Sequence, residues 1–196
     1  MGISFSNKSV CRLQPHDHAC LIYESEDEWS ENVIPFIIQG LQQGEKCIYG
    51  LNHRSREAIV AHLEEAGIDT AAYEDSGQLM ILNQLAFPEV TDQEKLSQVE
   101  EFYIAFVTQC LAEGYPAVRF TGESLYTMTG CAPSFNLVET NSRCNTYIFP
   151  YYPLVCLCQY DRWKTDPTLL KDAIISHPII IKNGYFYQNF PNIPDE

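Results

Sequence analysis

The chain has 196 residues, of which 45% are hydrophobic, and its 26 acidic and 12 basic side chains give a formal net charge of −14. This length suits one domain with a substantial core. The acidic excess argues against direct binding to nucleic acid or to an anionic membrane, because both need clustered Lys and Arg. No apolar run reaches the roughly 18 residues of a membrane span, and the N-terminus lacks the apolar segment of a signal peptide. We therefore expect a soluble, cytoplasmic protein.

The chain contains eight cysteines. Disulfide scaffolds are usually shorter chains with smaller cores, and they belong to secreted proteins. Several of these cysteines lie within apolar strand patterns, where a free thiol behaves as a small hydrophobic group. We therefore interpret them as reduced thiols, as expected in a reducing cytoplasm such as that of an anaerobe.

Strand and helix patterns alternate along most of the chain. The first predicted strand, residues 19–23, precedes an acidic stretch and a helix over residues 29–43 with apolar side chains at helical spacing. Further strands are predicted over residues 46–51, 78–82, 117–121 and 154–160, and further helices over residues 55–66, 91–113, 134–147 and 166–175. Ser55, Asp166 and the Thr91–Glu94 capping box are the expected helix starts.

The last pattern is a hairpin, with strands over residues 178–181 and 185–187 and a turn at Asn183-Gly184. Alternating strands and helices predict an α/β fold with a mainly parallel sheet and helices on both faces. The hairpin adds antiparallel edge strands at the C-terminal end. We expect one domain over residues 16–190, a flexible leader over residues 1–15 and a short tail over residues 191–196.

The segment after the first strand is in the position of a phosphate-binding loop, but its composition opposes that function. Such a loop needs glycines, a Lys and a Ser or Thr next to the phosphates. Residues 24–31 contain no Gly, no Lys and five carboxylates. The fourth strand leads into Thr121-Gly122-Glu123 instead of four apolar residues followed by Asp. The sequence therefore predicts that this loop does not bind triphosphate. We identify no other set of catalytic residues in the sequence.

In parallel sheets, ligands bind at the carboxyl ends of the strands. Arg119 and Glu123 are expected to lie together at the end of the fourth strand, either contacting a ligand or forming a structural ion pair. Asp161 could line the same crevice or cap a turn. The abundant aromatic side chains fit a small apolar pocket, core packing or a dimer surface equally well. The candidate ligand-binding residues are Tyr23, Glu24, Arg119, Glu123, Tyr160 and Asp161.

The segment His16-Asp17-His18-Ala19-Cys20 places His16, His18 and Cys20 on one strand face if it is extended. Imidazole and thiolate suit zinc or another transition metal. The alternative is a strand entry with two polar histidines and one core cysteine. Cys156 and Cys158 also share a strand face, and they either join such a site or are core thiols.

Several short motifs occur in a characteristic order. They are His18-x-Cys20-x-x-Tyr23, Gly44 to Cys47, Thr121-Gly122-Glu123, Leu157 to Asp161 and His177-Pro178. His177 ends a predicted helix, where it can bind the last carbonyl groups. Over about residues 15–190 the chain resembles the MEDS family, the methanogen/methylotroph DcmR sensory domain. The resemblance implies a sensor of small hydrocarbon derivatives on a RecA/KaiC-like core without a working nucleotide site.

MEDS domains often accompany DNA-binding or histidine-kinase modules, so the resemblance also implies a regulatory output. Our first hypothesis is a sensory domain that binds a small organic ligand and regulates a partner, either a regulatory protein or a histidine kinase. The second is a protein-interaction module without a ligand, with a homodimer also open. The third is a metal-binding protein that uses His and Cys. The first two require no cofactor.

Overall fold

The computed structural model describes residues 9–83, 93–123 and 137–189. These residues build one seven-stranded sheet. The strands are β1 (His18–Tyr23), β2 (Lys46–Leu51), β3 (Leu79–Asn83), β4 (Val118–Glu123), β5 (Leu154–Asp161), β6 (Ile179–Lys182) and β7 (Tyr185–Gln188). Their order across the sheet is β3-β2-β4-β5-β1-β6-β7.

Helices connect the strands. They are α1 (Glu26–Gln42), α2 (Arg56–Glu65), α3 (Thr70–Asp75), α4 (Gln93–Ala112), α5 (Leu137–Tyr147) and α6 (Pro167–Ser176). A 3-10 turn over Ser9–Arg12 precedes β1. None of the helices in the described part of the chain is both long and apolar enough to cross a bilayer.

The strand pairs are parallel except β6 and β7, which form the antiparallel hairpin. Its turn places Asn183 at φ 50° and Gly184 at φ 73°, the two positive angles that an Asn-Gly hairpin turn uses. The predicted α/β class, the mainly parallel sheet and the closing hairpin are all confirmed.

Both faces of the sheet are covered, which explains why the strands read as continuous apolar runs. Along β1, Ala19 and Leu21 pack toward α1, whereas Cys20 and Ile22 pack toward α6. The face of β2 and β4 that points away from α1 packs against α4 through residues such as Val107. A charged group on β1 would therefore be buried whichever way it pointed.

Most predicted helix starts and ends agree with the structure. Ser55 accepts a hydrogen bond from Ala58 N at 3.3 Å, and Asp166 accepts one from Thr168 N at 2.8 Å. α1 begins at Glu26, three residues before the predicted start, because Ser25 caps it and acidic side chains favour a helix N-terminus. The short helix α3 was not predicted. The Thr91–Glu94 capping box and the tail lie outside the described residues.

The flexible leader is corrected from Ser9 onward. Val10 and Leu13 are fully buried and belong to the core cluster that includes α1. The Gln39 amide donates to the Cys11 carbonyl at 3.1 Å, which further fastens this segment to α1. Two apolar side chains without a periodic pattern around them were too weak a signal to predict this packing.

Candidate functional site

Glu123, the last residue of β4, is held at the carboxyl edge of the sheet by the loop after β2. Its Oε2 accepts from the backbone N–H of His53 at 2.7 Å and of Arg54 at 3.3 Å. Its Oε1 pairs with the Arg54 guanidinium and accepts a long hydrogen bond of 3.4 Å from the Tyr23 hydroxyl. Tyr23 and Glu123, both predicted at this edge, are brought together there. Burial raises the pKa of Tyr23, so its hydroxyl remains a donor at neutral pH.

Arg54 also covers the start of α1. Its Nη2 lies 2.6 Å from Glu26 Oε2, and its guanidinium lies 3.9 Å above the ring of Trp29. The loop between β1 and α1 has only two residues, and the second, Ser25, accepts from Glu28 N at 3.1 Å. The position that a phosphate-binding loop gives to phosphate therefore holds an arginine–carboxylate network. Arg54 was not predicted, because a lone Arg in a loop belongs to no pattern.

Arg119 lies near the amino end of β4, whereas Glu123 lies at its carboxyl end. This corrects the prediction that the two side chains meet. Arg119 is the second residue of β4 and Glu123 the last, so about 13 Å of strand separates them. The Arg119 guanidinium binds Glu45, with Nε 2.5 Å from Oε2, and stacks on Phe36. Both charges are almost fully buried, and removing one partner of such a pair costs about 3–5 kcal/mol. Arg119 thus forms a structural ion pair, with a different glutamate from the one expected.

The remaining three ligand candidates lie at or near the carboxyl end of β5. Tyr160 is buried in the core, edge-on to His177 at 5.9 Å between ring centroids. Asp161 accepts from Trp163 N at 2.9 Å and Lys164 N at 3.2 Å, so it caps the turn after β5. Glu24 is exposed and pairs with Lys182 at 3.4 Å.

A groove of about 460 Å³ opens at the carboxyl ends of β1, β5 and β6 and against α6, and none of the six candidate ligand-binding residues lines it. Three cationic side chains, Arg162, Lys171 and Lys182, line it together with apolar side chains. The main apolar lining residues are Ile22, Leu170, Ile174, Ile175, Ile180 and Tyr187. The sequence predicted a crevice at the carboxyl ends of the strands but not this lining, because Ile22 of β1 meets α6, β6 and β7 only in the folded chain.

A cluster of thiol and imidazole groups lies on the same side of the sheet, nearer the amino ends of β1 and β5. The parallel register places His18 next to Cys156 and Cys20 next to Cys158. Cys158 Sγ lies 3.5 Å from His18 Nε2 and 3.7 Å from Cys156 Sγ. His177, which follows α6, packs against the His18 ring with 4.3 Å between the ring centroids and a tilt of 49° between the ring planes.

This cluster replaces the predicted trio of His16, His18 and Cys20. His16 precedes the strand with φ 83°, so the expected alternation does not extend to it. Its side chain is exposed, and its Nδ1 bonds to the Phe149 carbonyl at 2.7 Å. Cys20 is fully buried beside the cluster. The Cys-x-Cys spacing of β5 was noticed in the sequence, but only the register shows that it lies next to His18.

The surroundings of the cluster lower the pKa of both Cys158 and His177. Hydrogen bonding from Cys156 holds the pKa of Cys158 well below its ordinary value, and the two imidazoles add to this effect. Burial lowers the pKa of His177, so that ring is neutral. The His177 Nδ1–H donates to the Ala173 carbonyl at 2.7 Å, which confirms its predicted role at the helix C-terminus.

The sequence model of MEDS, the MEthanogen/methylotroph, DcmR Sensory domain, matches residues 17–178. The chain belongs to the MEDS family. Membership gives this MEDS domain a sensory or regulatory role. Three residues of the motifs that carried the resemblance, His18, Cys158 and His177, meet in the thiol–imidazole cluster, and a fourth, Cys20, is buried beside it.

Known proteins that are similar to this MEDS domain include a transcriptional repressor and a flagellar accessory protein. The transcriptional repressor DcmR of Methylorubrum extorquens is 24% identical over 164 residues, which are 83% of this chain and 58% of the repressor. The chain thus spans less than two thirds of the repressor's length. The crystal structure of flagellar accessory protein FlaH from Methanocaldococcus jannaschii aligns with a TM-score of 0.61 at 14% identity, over 89% of this chain and 76% of FlaH. That likeness supports the expected RecA-like fold.

Proposed function

We propose that this MEDS domain binds a small organic ligand in the groove beside α6 and thereby changes how a partner protein is regulated. The observation that carries the proposal is the lining of the groove. It combines a continuous apolar wall with Arg162, Lys171 and Lys182, in a chain whose net charge is −14. Such a lining suits a ligand with a short hydrocarbon body and an anionic or strongly polar group.

The dimensions of the groove agree with this ligand class. A volume of about 460 Å³ falls within the roughly 300–1,000 Å³ typical of small-molecule pockets. An anionic group bound to Lys182 would compete with Glu24, which lies directly before the cap of α1. Ligand binding would then alter the contacts of the loop between β1 and α1 as well as those of α6.

The groove also offers a route to a partner. Ile174, Ile175 and Tyr187 line it, yet each remains 40–52% exposed on the outer surface. A ligand that prefers one arrangement of these side chains shifts the population of surfaces that a partner meets. The similarity to a transcriptional repressor supports a regulatory output. We expect that output to pass through a regulatory protein or a histidine kinase.

The same proposal includes the absence of ATPase activity. The Arg54–Glu123–Glu26 network covers the start of α1, and three acidic side chains lie in the first turn of that helix. Both features oppose a triphosphate at this position, since phosphate binding relies on free N–H groups at a helix N-terminus.

The first test is a titration of the ¹⁵N-labelled chain with hexanoate and, separately, with hexanol, followed by amide chemical shifts. We expect shifts at Leu170, Ile174 and Lys182 for both probes, with tighter binding of hexanoate. Arg162→Ala should weaken the binding of hexanoate roughly two- to fivefold, as expected for a partly exposed ion pair. The affinity for hexanol should be unchanged. Arg56→Ala is the matched control, because Arg56 is exposed and pairs with Glu74 away from the groove.

A second candidate function is protein interaction without a ligand. The observation that favours it is the exposure of two aromatic side chains: Trp163, in the turn after β5, is 72% exposed, and Tyr185, in the hairpin, is 65% exposed. If neither probe shifts the groove resonances and the chain instead associates with itself in sedimentation experiments in a Tyr185-dependent way, this function replaces the sensor.

A further inference from the structure

The thiol–imidazole cluster has the dimensions of a metal site. His18 Nε2, Cys156 Sγ and Cys158 Sγ all lie within 4.8 Å of one another. In a tetrahedral zinc site, ordinary metal–ligand lengths require about 3.7–3.8 Å between two sulfurs and about 3.5–3.6 Å between sulfur and nitrogen. The two sulfurs here are 3.7 Å apart, and Cys158 Sγ is 3.5 Å from His18 Nε2.

We propose that His18, Cys156 and Cys158 bind Zn²⁺ and that His177, whose ring packs 4.3 Å from the His18 ring, moves onto the bound ion to complete a tetrahedral site. The site lies apart from the groove, so the inference does not rest on the proposed ligand. The donor set, two thiolates and two imidazoles, is the soft mixture that zinc accepts in structural sites. Two thiolates also balance the charge of the ion, so the bound site is neutral within the core.

The orientation of both histidines supports this assignment. His18 Nδ1 lies 2.8 Å from Asn145 Oδ1, and the Asn145 amide is fixed because its Nδ2 donates to the Ser176 carbonyl at 2.9 Å. The Nδ1 atom of His18 therefore carries the proton, and Nε2 presents a lone pair to Cys158. Metal-binding histidines are usually held in this way by an outer oxygen acceptor.

His177 is arranged in the same way. Its Nδ1–H donates to the Ala173 carbonyl, which leaves Nε2 as an acceptor. Nε2 is fully buried and, among the residues that the structure describes, meets no hydrogen-bond donor of ordinary geometry. The His177 ring lies against the His18 ring, with 4.3 Å between the ring centroids, which places it beside the cluster. A buried ring nitrogen that meets no donor of ordinary geometry can serve as a metal ligand.

The site would join three elements. His18 begins β1, Cys156 and Cys158 lie in β5, and His177 links α6 to β6. On binding, the two thiols give up their protons to solvent, and the four ligand atoms donate to the ion without any change of oxidation state. The bound ion would fasten the C-terminal end of α6 to the sheet.

The experiment is a titration of the reduced, metal-free full chain with Co²⁺ in the absence of oxygen, followed by competition with Zn²⁺. We expect one equivalent of Co²⁺ to produce thiolate charge-transfer bands and the intense d–d bands of tetrahedral cobalt, which Zn²⁺ abolishes. Cys158→Ser should weaken binding by more than the roughly 10–100-fold that loss of an outer-sphere partner causes. Cys110→Ser is the matched control, because Cys110 is a buried thiol of α4, away from the cluster.

A measurement on the unaltered chain covers the case in which Cys158→Ser does not fold. Zn²⁺ should protect Cys156 and Cys158 from alkylation by N-ethylmaleimide, mapped by mass spectrometry, while the modification of Cys11 is unchanged. The proposal would be overturned if Co²⁺ produced no such bands, or if Cys110→Ser removed them. Equal alkylation of Cys158 with and without Zn²⁺, or an iron–sulfur chromophore in chain purified anaerobically, would also overturn it.

Discussion

Tyr49 lies fully buried in β2, beneath the network that Arg54 and Glu123 form at the carboxyl edge. Its hydroxyl is 3.4 Å from Gln159 Oε1. Burial raises its pKa, and the charge of Glu123 raises it further. The unfolded chain releases this proton near pH 10, whereas the folded chain keeps it. The stabilising contribution is therefore fully present below pH 10 and is lost as the pH rises above it.

Tyr49→Phe tests this linkage. Above pH 10, the free energy of unfolding of the unaltered chain should fall by up to about 1.4 kcal/mol per pH unit through this hydroxyl alone. The variant should lack that part of the slope and should lose no more than about 1 kcal/mol at neutral pH, since the hydrogen bond is long. Urea unfolding between pH 8 and 11 measures both effects. Tyr185→Phe is the control, because Tyr185 is 65% exposed; equal alkaline slopes for all three chains would contradict the prediction.

The positions and partners of some residues could be predicted from the sequence, whereas those of others could not. Ser55 and Asp166 were predictable as helix caps because their partner lies two or three residues away. The positions of Glu123 and Tyr23 at the carboxyl edge were predictable, because each residue ends a parallel strand and such strands end at the same edge. Arg119 was misplaced by the length of one strand, and its partner Glu45 is 74 residues away in sequence. Pairing over such a distance depends on the strand order, which no local pattern contains.

At the level of elements, α5 decides how α6 meets the sheet. Asn141 Nδ2 donates to Ser176 Oγ at 2.8 Å, and Asn145 bonds both to His18 and to the Ser176 carbonyl. These two amides are one helical turn apart, so they present a single polar face to the end of α6. That face positions His177 as well as His18.

Asn145→Ala should therefore separate positioning from simple stability. The change removes the acceptor of the His18 Nδ1–H, so we expect the affinity for Co²⁺ to fall about 10–100-fold and the tetrahedral d–d bands to change shape. Loss of the buried hydrogen bonds should lower the free energy of unfolding by about 1–3 kcal/mol. Thr146→Ala is the control on the same helix, because its exposed hydroxyl donates to the Ser142 carbonyl within that helix. A destabilised Asn145→Ala chain with unchanged Co²⁺ affinity and spectrum would contradict the positioning role.

The elements themselves were largely predictable, because apolar periodicity and the Gly and Ser signals at helix ends are local. α3 was missed because its six residues, Thr70–Asp75, are too few to show a period. The thiol–imidazole cluster was only half visible. The sequence shows His18 and Cys20 in one strand and Cys156 and Cys158 in another, but the parallel register of β1 and β5 is what joins them.

For the whole molecule, the groove and the thiol–imidazole cluster both depend on α6. Leu170 and Ile174 form one wall of the groove, and His177 follows the end of the same helix. An ion bound at the cluster would hold that end against β1 and β5. Because a ligand that binds only the folded chain stabilises it by mass action, metal binding should be visible in global unfolding.

Adding Zn²⁺ to the metal-free chain should raise its melting temperature. At a free ion concentration 100 times the Kd, the stabilisation is about 2.7 kcal/mol, which for a chain of this size corresponds to a rise of roughly 5–10 °C. Circular dichroism melts with Zn²⁺ and with a chelator measure the difference. Mg²⁺ should give no rise, because it prefers oxygen ligands, and Cys158→Ser should abolish the rise with Zn²⁺. An equal rise with Mg²⁺, or one that persists in Cys158→Ser, would place the stabilising cation among the acidic surface groups instead of the cluster.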